Sequence, residues 1–435
     1  MASFFIPLTG LQADSTALNT IANDLSNMNT TAFKAETTNF SDLFYQQIGS
    51  TGAGDPIEVG AGTQVASNEV AFTQGSINST GNATDVALNG NGFFVVNNGG
   101  GGDEYSRAGD FSMDSNGNLV TSSGLNVMGY PAVNGVVNTN APLTAINIPV
   151  GQVQEPQATT TMNMTANLDA ASATGTQFPA QVTVYDSLGE PHVATVTYTQ
   201  TAANTWNYSV ALPAADYSTA GGNAAPAAIT GTMQFDANGN LTTVTPAGGA
   251  AETVGTAAGD VSSIALNFNP AATNVLSDGA AGLSVQWNLL GSGGTPTISQ
   301  VDTTSAVSAT TQNGYTSGQY QSFSIGSDGT VTATYSNGQQ QNVGQLALAN
   351  VSNLQGLQLL GDGDYGTTQA SGTAAVGVSG SAGLATLQDG ALEASNVNIS
   401  SEFSNLIIAQ RAFEANAKSV TTFDTVTQDT INMVH

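Results

Sequence analysis

Two apolar stripes with a seven-residue period, one at each end of the chain, constrain the fold most. Phe4, Leu11, Leu18 and Leu25 recur every seven residues, with Ile21 and Met28 three places after the last two. Leu406, Phe413, Val420 and Val434 keep the same period at the other end, with Thr427 as a polar interruption. A seven-residue repeat holds its members on one helix face, where they can meet a second helix in coiled-coil fashion. Such helices bury little against themselves. Each can pack on its own globular domain, or the two ends can pair with each other and with neighbouring subunits. Burying a side chain of this kind is worth at most ~1.5–3 kcal/mol, which must overcome the entropy of ordering two helices.

The helical reading extends from about Leu8 to Asn27, where Gly10 is the only Gly or Pro. Pro7 is tolerated in the first turn because its missing N–H has no intrahelical partner there. Asn19, Asn23, Asn27 and several Thr lower helix propensity, so a lone helix of this length is marginal in water. Residues 29–70 read as an irregular extended arm with a Gly-rich tip at Gly49–Gly62. No Gly or Pro occurs from Ala391 to His435, which predicts one long helix, with Asn398 or Ser400 as N-cap.

Between these ends the chain reads as short strands and tight turns. Asp114-Ser115-Asn116-Gly117-Asn118 and Asp236-Ala237-Asn238-Gly239-Asn240 each follow a Phe and precede a Leu. Asn-Gly between apolar runs marks a hairpin, because both residues accept positive φ. Asp328-Gly329 and Asn337-Gly338 add two more. Val182–Tyr185 and Val193–Tyr198 alternate as half-buried strands do. Ala211–Thr232 and Thr245–Asp260, rich in Ala, Gly and Thr, read as loops. Composition shifts near 149 and 314, and between these points there are ten acidic residues and no Lys or Arg. The expected fold class is therefore α+β and multidomain: N- and C-terminal helices paired coiled-coil-like, with predominantly antiparallel β domains inserted between them. The expected divisions are 1–28 with 389–435 (helical), 29–71 (arm), 72–148 with 315–388 (a β domain built from both halves) and 149–314 (an inserted β domain).

Charge and composition exclude several functions. The formal net charge is −27, from 4 Lys plus Arg against 31 Asp plus Glu, which argues against nucleic acid and anionic membrane surfaces. Disorder is not implied, since only 8% of residues are charged and 40% are hydrophobic. The absence of cysteine removes disulfides and thiolate chemistry. No segment has the basic start and apolar run of a cleaved signal peptide, and none approaches the ~20 apolar residues of a membrane helix. The two Asp-x-Asn-Gly-Asn runs place oxygens at positions 1, 3 and 5 of a calcium loop but lack its Gly at 6 and Glu at 12, so they read as turns, as does Gly361–Asp364. Only His192 and His435 are available for a metal cluster or a triad, and His192 reads as a strand-edge residue. No carboxylate pair stands out for glycan cleavage. No enzyme, metal or cofactor is expected.

The wording of the two ends goes further than their period. Leu18-Asn19-Thr20-Ile21-Ala22-Asn23-Asp24-Leu25-Ser26-Asn27-Met28-Asn29-Thr30-Thr31-Ala32-Phe33-Lys34 resembles the N-terminal signature of the bacterial flagellar rod and hook family of axial proteins. Leu392–Val397 and Ala409–Asn416 resemble its C-terminal block. Leu88–Phe94, Ser106–Phe111 and Gly344–Asn350 are similar to further family motifs, and Asp186–His192, followed by Trp206, resembles the insertion of hook-type members. The resemblance covers about 1–148 and 315–435, and the acidic insertion is like that of hook members rather than the shorter rod members. One position departs: the family's usual Gly before Phe-Lys is Ala32 here, which would be strained if the site needs positive φ.

The resemblance implies a subunit that leaves the cell through the flagellar export channel and stacks into a curved tube, a universal joint passing torque from rod to filament. Terminal helices would form the inner tube and β domains the outer shell. It implies as partners other copies of the chain, the distal rod protein, the hook cap protein, the hook–filament junction protein and the export apparatus, with no nucleic acid and no membrane insertion. The four basic residues Lys34, Arg107, Arg411 and Lys418 all lie in family-like segments and are candidates for charge contacts between subunits. A distal-rod-like protein with an unusual insertion, and a signal-less secreted adhesin or S-layer subunit, are the alternatives.

Overall fold

The computed structural model describes residues 5–50, 55–271 and 274–433. Two units emerge: residues 1–150, 321–334 and 340–435 in the first, and 151–320 with 335–339 in the second.

In the first unit, helix α1 spans Phe5–Ser26 and helix α2 spans Ile399–Met433. The Asn398 side chain accepts from the Ser400 and Ser401 N–H groups at 3.0 and 3.2 Å, so it caps α2 as its residue type favours. The absence of Gly and Pro from Ala391 onward is therefore not a helix signal throughout. Ala391–Glu393 forms a strand against Ile77–Ser79, because Glu393 is drawn into a buried ion-pair cluster.

The arm is regular rather than irregular. Strand β1 (Glu36–Asp42), β2 (Tyr45–Ser50), β3 (Pro56–Gly60) and β4 (Thr63–Val70) pair antiparallel as β1 with β4 and β2 with β3. The alternation of small polar and apolar residues that looked irregular is that of a ribbon with little to bury: Phe44, Tyr45, Ile48, Ile57 and Val59 are all exposed, Phe44 by 92%.

Beyond the arm, Phe93–Asn97, Asn126–Val133 and Gln340–Asn350 pair antiparallel at the centre of a sheet, with Phe94 opposite Leu348, Val127 opposite Val96 and Gly129 opposite Leu346. Phe93, Phe94, Val95 and Val96 are all buried, as are Leu346 to Ala349. Both strands thus read as continuous apolar runs because the sheet is covered on both faces. Phe72 meets Phe93 edge-on at 5.9 Å and Phe94 meets Phe111 at 4.9 Å, geometries that suit the ring quadrupoles.

The second unit has two sheets. Gln177–Tyr185, Pro191–Ala202, Thr205–Ala211, Ile229–Phe235, Leu241–Pro246 and Glu252–Thr253 run as an antiparallel meander. The other sheet is mixed: Thr161–Asp169 pairs parallel with Ser284–Asn288 and Ile298–Val301 and antiparallel with Ala306–Gln312. The alternating side chains of both sheets meet in one core around Trp206, Trp287, Tyr198 and Tyr208. Ile229–Thr232, read as loop from its Ala/Gly/Thr surroundings, is strand, because Thr and Ile fit a pleated half-buried surface.

All four Gly turns form. Gly117, Gly239, Gly329 and Gly338 have φ of 83°, 82°, 84° and 78°. Asp114 Oδ1 accepts from the N–H groups of Asn116 and Asn118, both at 2.8 Å, and Asp236 does the same with Asn238 and Asn240. These bonds hold both carboxyls below their ordinary range. Their oxygens are committed to the turn.

Candidate assembly surface

α1 lies against both the arm and α2. Toward the arm, the Thr38 hydroxyl donates to Thr20 Oγ1 at 3.0 Å, and the Thr63 N–H donates to Thr9 Oγ1 at 3.3 Å. Both Asp24 carboxylate oxygens accept from the Glu36 N–H, at 3.2 and 3.0 Å. Asp24 is fully buried. Burial pushes its carboxyl up to about 6 against the lowering effect of the Glu36 bond, and the charges of Glu402 and Glu36 push the same way. Toward α2, Asn416 Nδ2 donates to Asp14 Oδ2 at 2.8 Å, and a Cβ on Gly10 would lie 2.6 Å from Asn416 Nδ2.

The buried stripe of α1 is not the expected one. Pro7, Gly10, Ala13, Thr20 and Asp24 are buried. Leu11, Leu18, Ile21 and Leu25 are only half-buried, and Met28 is exposed. Gly10, Ala17 and Asp24 form a heptad series one place before the leucines, with Ala13 and Thr20 a second series between them. Close approach of Asn416 requires the glycine at Gly10, the arm covers Thr20 and Asp24, and the leucines flank this face. The signal was present in the sequence, but weighting by hydrophobicity hides Gly, Ala and Thr. On α2, Leu406 and Val420 are half-buried and Phe413 is 37% exposed. No α2 residue is buried outright. Phe4 and Val434 lie outside the described residues.

The four cations separate into two pairs. Lys34 and Arg107, expected as candidates for contacts with neighbouring subunits, instead meet a carboxylate of their own chain. Glu393 Oε1 accepts from Lys34 Nζ at 2.6 Å and from the Gly75 N–H at 2.8 Å. Its Oε2 accepts from Arg107 Nε at 3.0 Å, with Nη2 also 3.0 Å away. Arg107 Nη1 donates to the Gly90 and Gly92 carbonyls at 2.9 and 3.0 Å, and Lys34 Nζ to the Thr73 carbonyl at 3.0 Å. All three side chains are at most 5% exposed. Burial pulls the Lys34 ammonium below its ordinary value, with Glu393 opposing it. A Cβ on Gly75 would sit 1.9 Å from the Ala394 carbonyl oxygen, so only glycine lets these strands close on the cluster. Arg411 and Lys418, by contrast, are exposed on α2 with no ion-pair partner among the described residues.

His192 departs from its expected place as a strand-edge residue. It is 4% exposed, with Nδ1 2.9 Å from Asp216 Oδ2 and Nε2 3.0 Å from Asp186 Oδ2. A carboxylate at each ring nitrogen favours a proton on both. Burial pulls the imidazole down, but the two carboxylates outweigh it and hold it above its ordinary value. Asp186 also accepts from the Leu188 and Glu190 N–H groups, at 2.8 and 3.0 Å. Asp186, His192 and Asp278 offer atoms close enough to share a metal ion, but a proton on each ring nitrogen, which the flanking carboxylates favour, would compete with a metal for the same lone pair. The cluster is a structural brace of the second unit.

The comparisons with known proteins agree with this arrangement of terminal helices and inserted sheets. Three family descriptions match: the flagellar basal body protein FlaE D2 domain over residues 152–315, the flagellar hook protein FlgE/F/G D1 domain over 87–167, and the flagellar basal body rod FlgEFG protein C-terminal region over 388–433. The flagellar hook protein FlgE of Salmonella typhimurium is 34% identical over 448 residues, covering 99% of this chain and 100% of its own. That of Escherichia coli K12 is 35% identical over 445 residues, with the same coverage. That of Treponema pallidum is 34% identical over 469 residues, covering 100% of this chain and 99% of its own. Among solved structures, the Helicobacter pylori flagellar hook protein FlgE2 shares the fold with a TM-score of 0.52 at 13% identity, over 72% of this chain and 99% of its own. No described helix is long and apolar enough to cross a membrane. Identity at this level over essentially the whole chain decides the family: the chain belongs to the bacterial flagellar hook protein FlgE family.

Proposed function

We propose that this chain is the structural subunit of a bacterial flagellar hook, polymerising into a curved, flexible tube that passes torque from rod to filament as a universal joint. The family is one of hook subunits and not of enzymes. The observation that carries the reading is the full-length similarity to hook proteins. It is supported by a 35-residue helix, α2, that buries no residue outright while leaving Ile399, Phe403, Ile407, Ile408, Val426 and Ile431 exposed. A helix that bare is short of partners. The distal-rod and adhesin alternatives are not favoured, since the relatives matched end to end are hook proteins.

In this reading residues 1–28 and 389–435 pair coiled-coil-like and line the inner tube. Residues 29–71 form the arm, 72–148 with 315–388 a middle β domain, and 149–314 the outer domain. Contacts between outer domains are polar and wet, so they exchange readily as the tube bends. The half-buried and exposed stripe residues Leu11, Leu18, Ile21, Leu25, Met28, Leu406, Phe413 and Val420 complete their burial against neighbouring copies. Phe4 and Val434 extend that seam. The subunit passes through the flagellar export apparatus, and meets the distal rod, hook cap and hook–filament junction proteins at the ends and tip of the tube. Electron microscopy of polymers grown from the purified protein tests the reading: curved hollow tubes are expected, and straight polymers or persistent monomers would contradict it.

A further inference from the structure

A groove of about 400 Å³ opens between α1, β1 and α2. Ala17, Ile21 and Phe40 give it apolar walls, and its charged residues, Asp14, Glu36 and Glu402, are all acidic. Asp14 is engaged by Asn416. The half-buried Glu36 and Glu402 side chains have neither a cation nor a hydrogen-bond donor among the described residues. Both push up the carboxyl of Asp24 next to the groove, so the site has a negative field that no cation among the described residues neutralises. Carboxylates drawn partly out of water without a cation are costly.

The supply of cations is short. Of four basic side chains, Lys34 and Arg107 are taken by Glu393. Arg411 and Lys418 remain, one heptad apart on the exposed face of α2. Arg411 flanks the groove of its own chain, beside Ala412, but makes no ion pair with its carboxylates. It lies nine residues beyond Glu402 on one helix, which places it half a turn out of phase and about 13 Å further along the axis. The cation must come from elsewhere, and net charge −27 makes any second copy a repulsive neighbour unless opposite charges are brought together.

We propose that this groove receives the Arg411 guanidinium of a second copy, which bridges Glu36 and Glu402. The inference rests on the hook-subunit reading and names one contact by which the tube would close. A guanidinium suits the site better than the Lys418 ammonium because its planar fork can serve two carboxylates at once. Ile407, one turn before Arg411 and 53% exposed, enters with it and covers the apolar walls. The contact is heterologous, the cation on one patch and the carboxylates on another, so repeating it builds a helical polymer rather than a closed dimer.

Charge reversal of the full-length protein tests this. Arg411→Glu should raise the concentration needed for polymerisation by about tenfold or more, as breaking a desolvated charge pair does. Glu402→Arg should do the same, and the double variant Arg411→Glu/Glu402→Arg should recover most of the loss. Lys418→Glu should stay near wild type. Far-ultraviolet circular dichroism and its denaturant unfolding curve for each monomer check that it is folded. If Glu402→Arg is not folded, Glu36→Arg supplies the second reversal. Wild-type tubes with Arg411→Glu polymerising equally well would overturn the pairing and leave the hook reading intact. So would a double variant no better than either single one, or rescue of Lys418→Glu by Glu402→Arg. A wild-type protein that forms no tube at all overturns the hook reading and the pairing with it.

Discussion

Glu393 holds Lys34 and Arg107 in a space closed to water, 359 and 286 residues away from them in sequence. A buried pair of this kind is weak evidence of net stability, but breaking one side of it leaves charges with no solvent and no partner. Glu393→Gln keeps the shape and removes the charge. It should cost about 3 kcal/mol or more in denaturant unfolding followed by far-ultraviolet circular dichroism, since two cations lose their anion. A change below about 1 kcal/mol would show the site to be wet. Ala32 sits nearby with φ 55° and is 5% exposed, its N–H donating to the Glu393 carbonyl at 2.8 Å. The position where the family's usual residue is Gly does require a left-handed backbone, and Ala accepts it at roughly 1–2 kcal/mol of strain. Ala32→Gly relieves that strain while losing a buried methyl and gaining unfolded-state entropy. It should therefore be within about 0.5 kcal/mol of wild type. Ala13→Gly, in the buried face of α1, should cost about 1–2 kcal/mol, with no strain to relieve. Equal losses in unfolding experiments would count against strain at Ala32.

Helices and turns were the most legible elements, because their signals are local. The seven-residue period, the Asn398 cap and the four Gly turns depend on residues a few places apart. What the sequence hid depends on distant partners. The alternation of Pro191–Ala202 puts His192 in phase with buried Ala194 and Val196, but one of the two carboxylates that let a histidine sit there, Asp216, comes from 24 residues away. Nothing near Ala391–Glu393 marks it as strand, because Ile77–Ser79 and the two cations decide it. The buried face of α1 was missed for another reason: close approach is encoded by small residues, which a hydrophobic count passes over. The brace at the start of Pro191–Ala202 makes a pH prediction for its sheet. The folded-state pKa of His192 is raised, so its stabilisation is complete below the unfolded value near ~6.5 and is lost as pH rises through the folded value. Both tryptophans, Trp206 and Trp287, lie in the core of the second unit, so their fluorescence reports that unit alone. Thermal unfolding followed by this signal should move to lower temperature at alkaline pH. His192→Gln should cost about 2–3 kcal/mol at pH 6 and flatten the dependence. An unchanged pH profile in the variant would show that another group is responsible.

Across the whole molecule, burial is concentrated in the β-rich parts and thin in the helical ends. Both sheets of the second unit and the central sheet of the first carry fully buried aromatic and aliphatic side chains. α2 carries none, and α1 buries mostly small or polar ones. The β-rich parts can fold on their own account, whereas isolated helices of weak propensity cannot be relied on to persist in water. That asymmetry suits the proposed hook subunit, whose ends would be completed only on joining a tube. Native-state hydrogen exchange on monomer and polymer tests this directly. Amides of residues 399–433 should exchange rapidly in the monomer and slowly in the polymer, while those of Phe93–Asn97 and Pro191–Ala202 stay protected in both. Equal protection of 399–433 in the two states, or no protection in the polymer, would contradict the account.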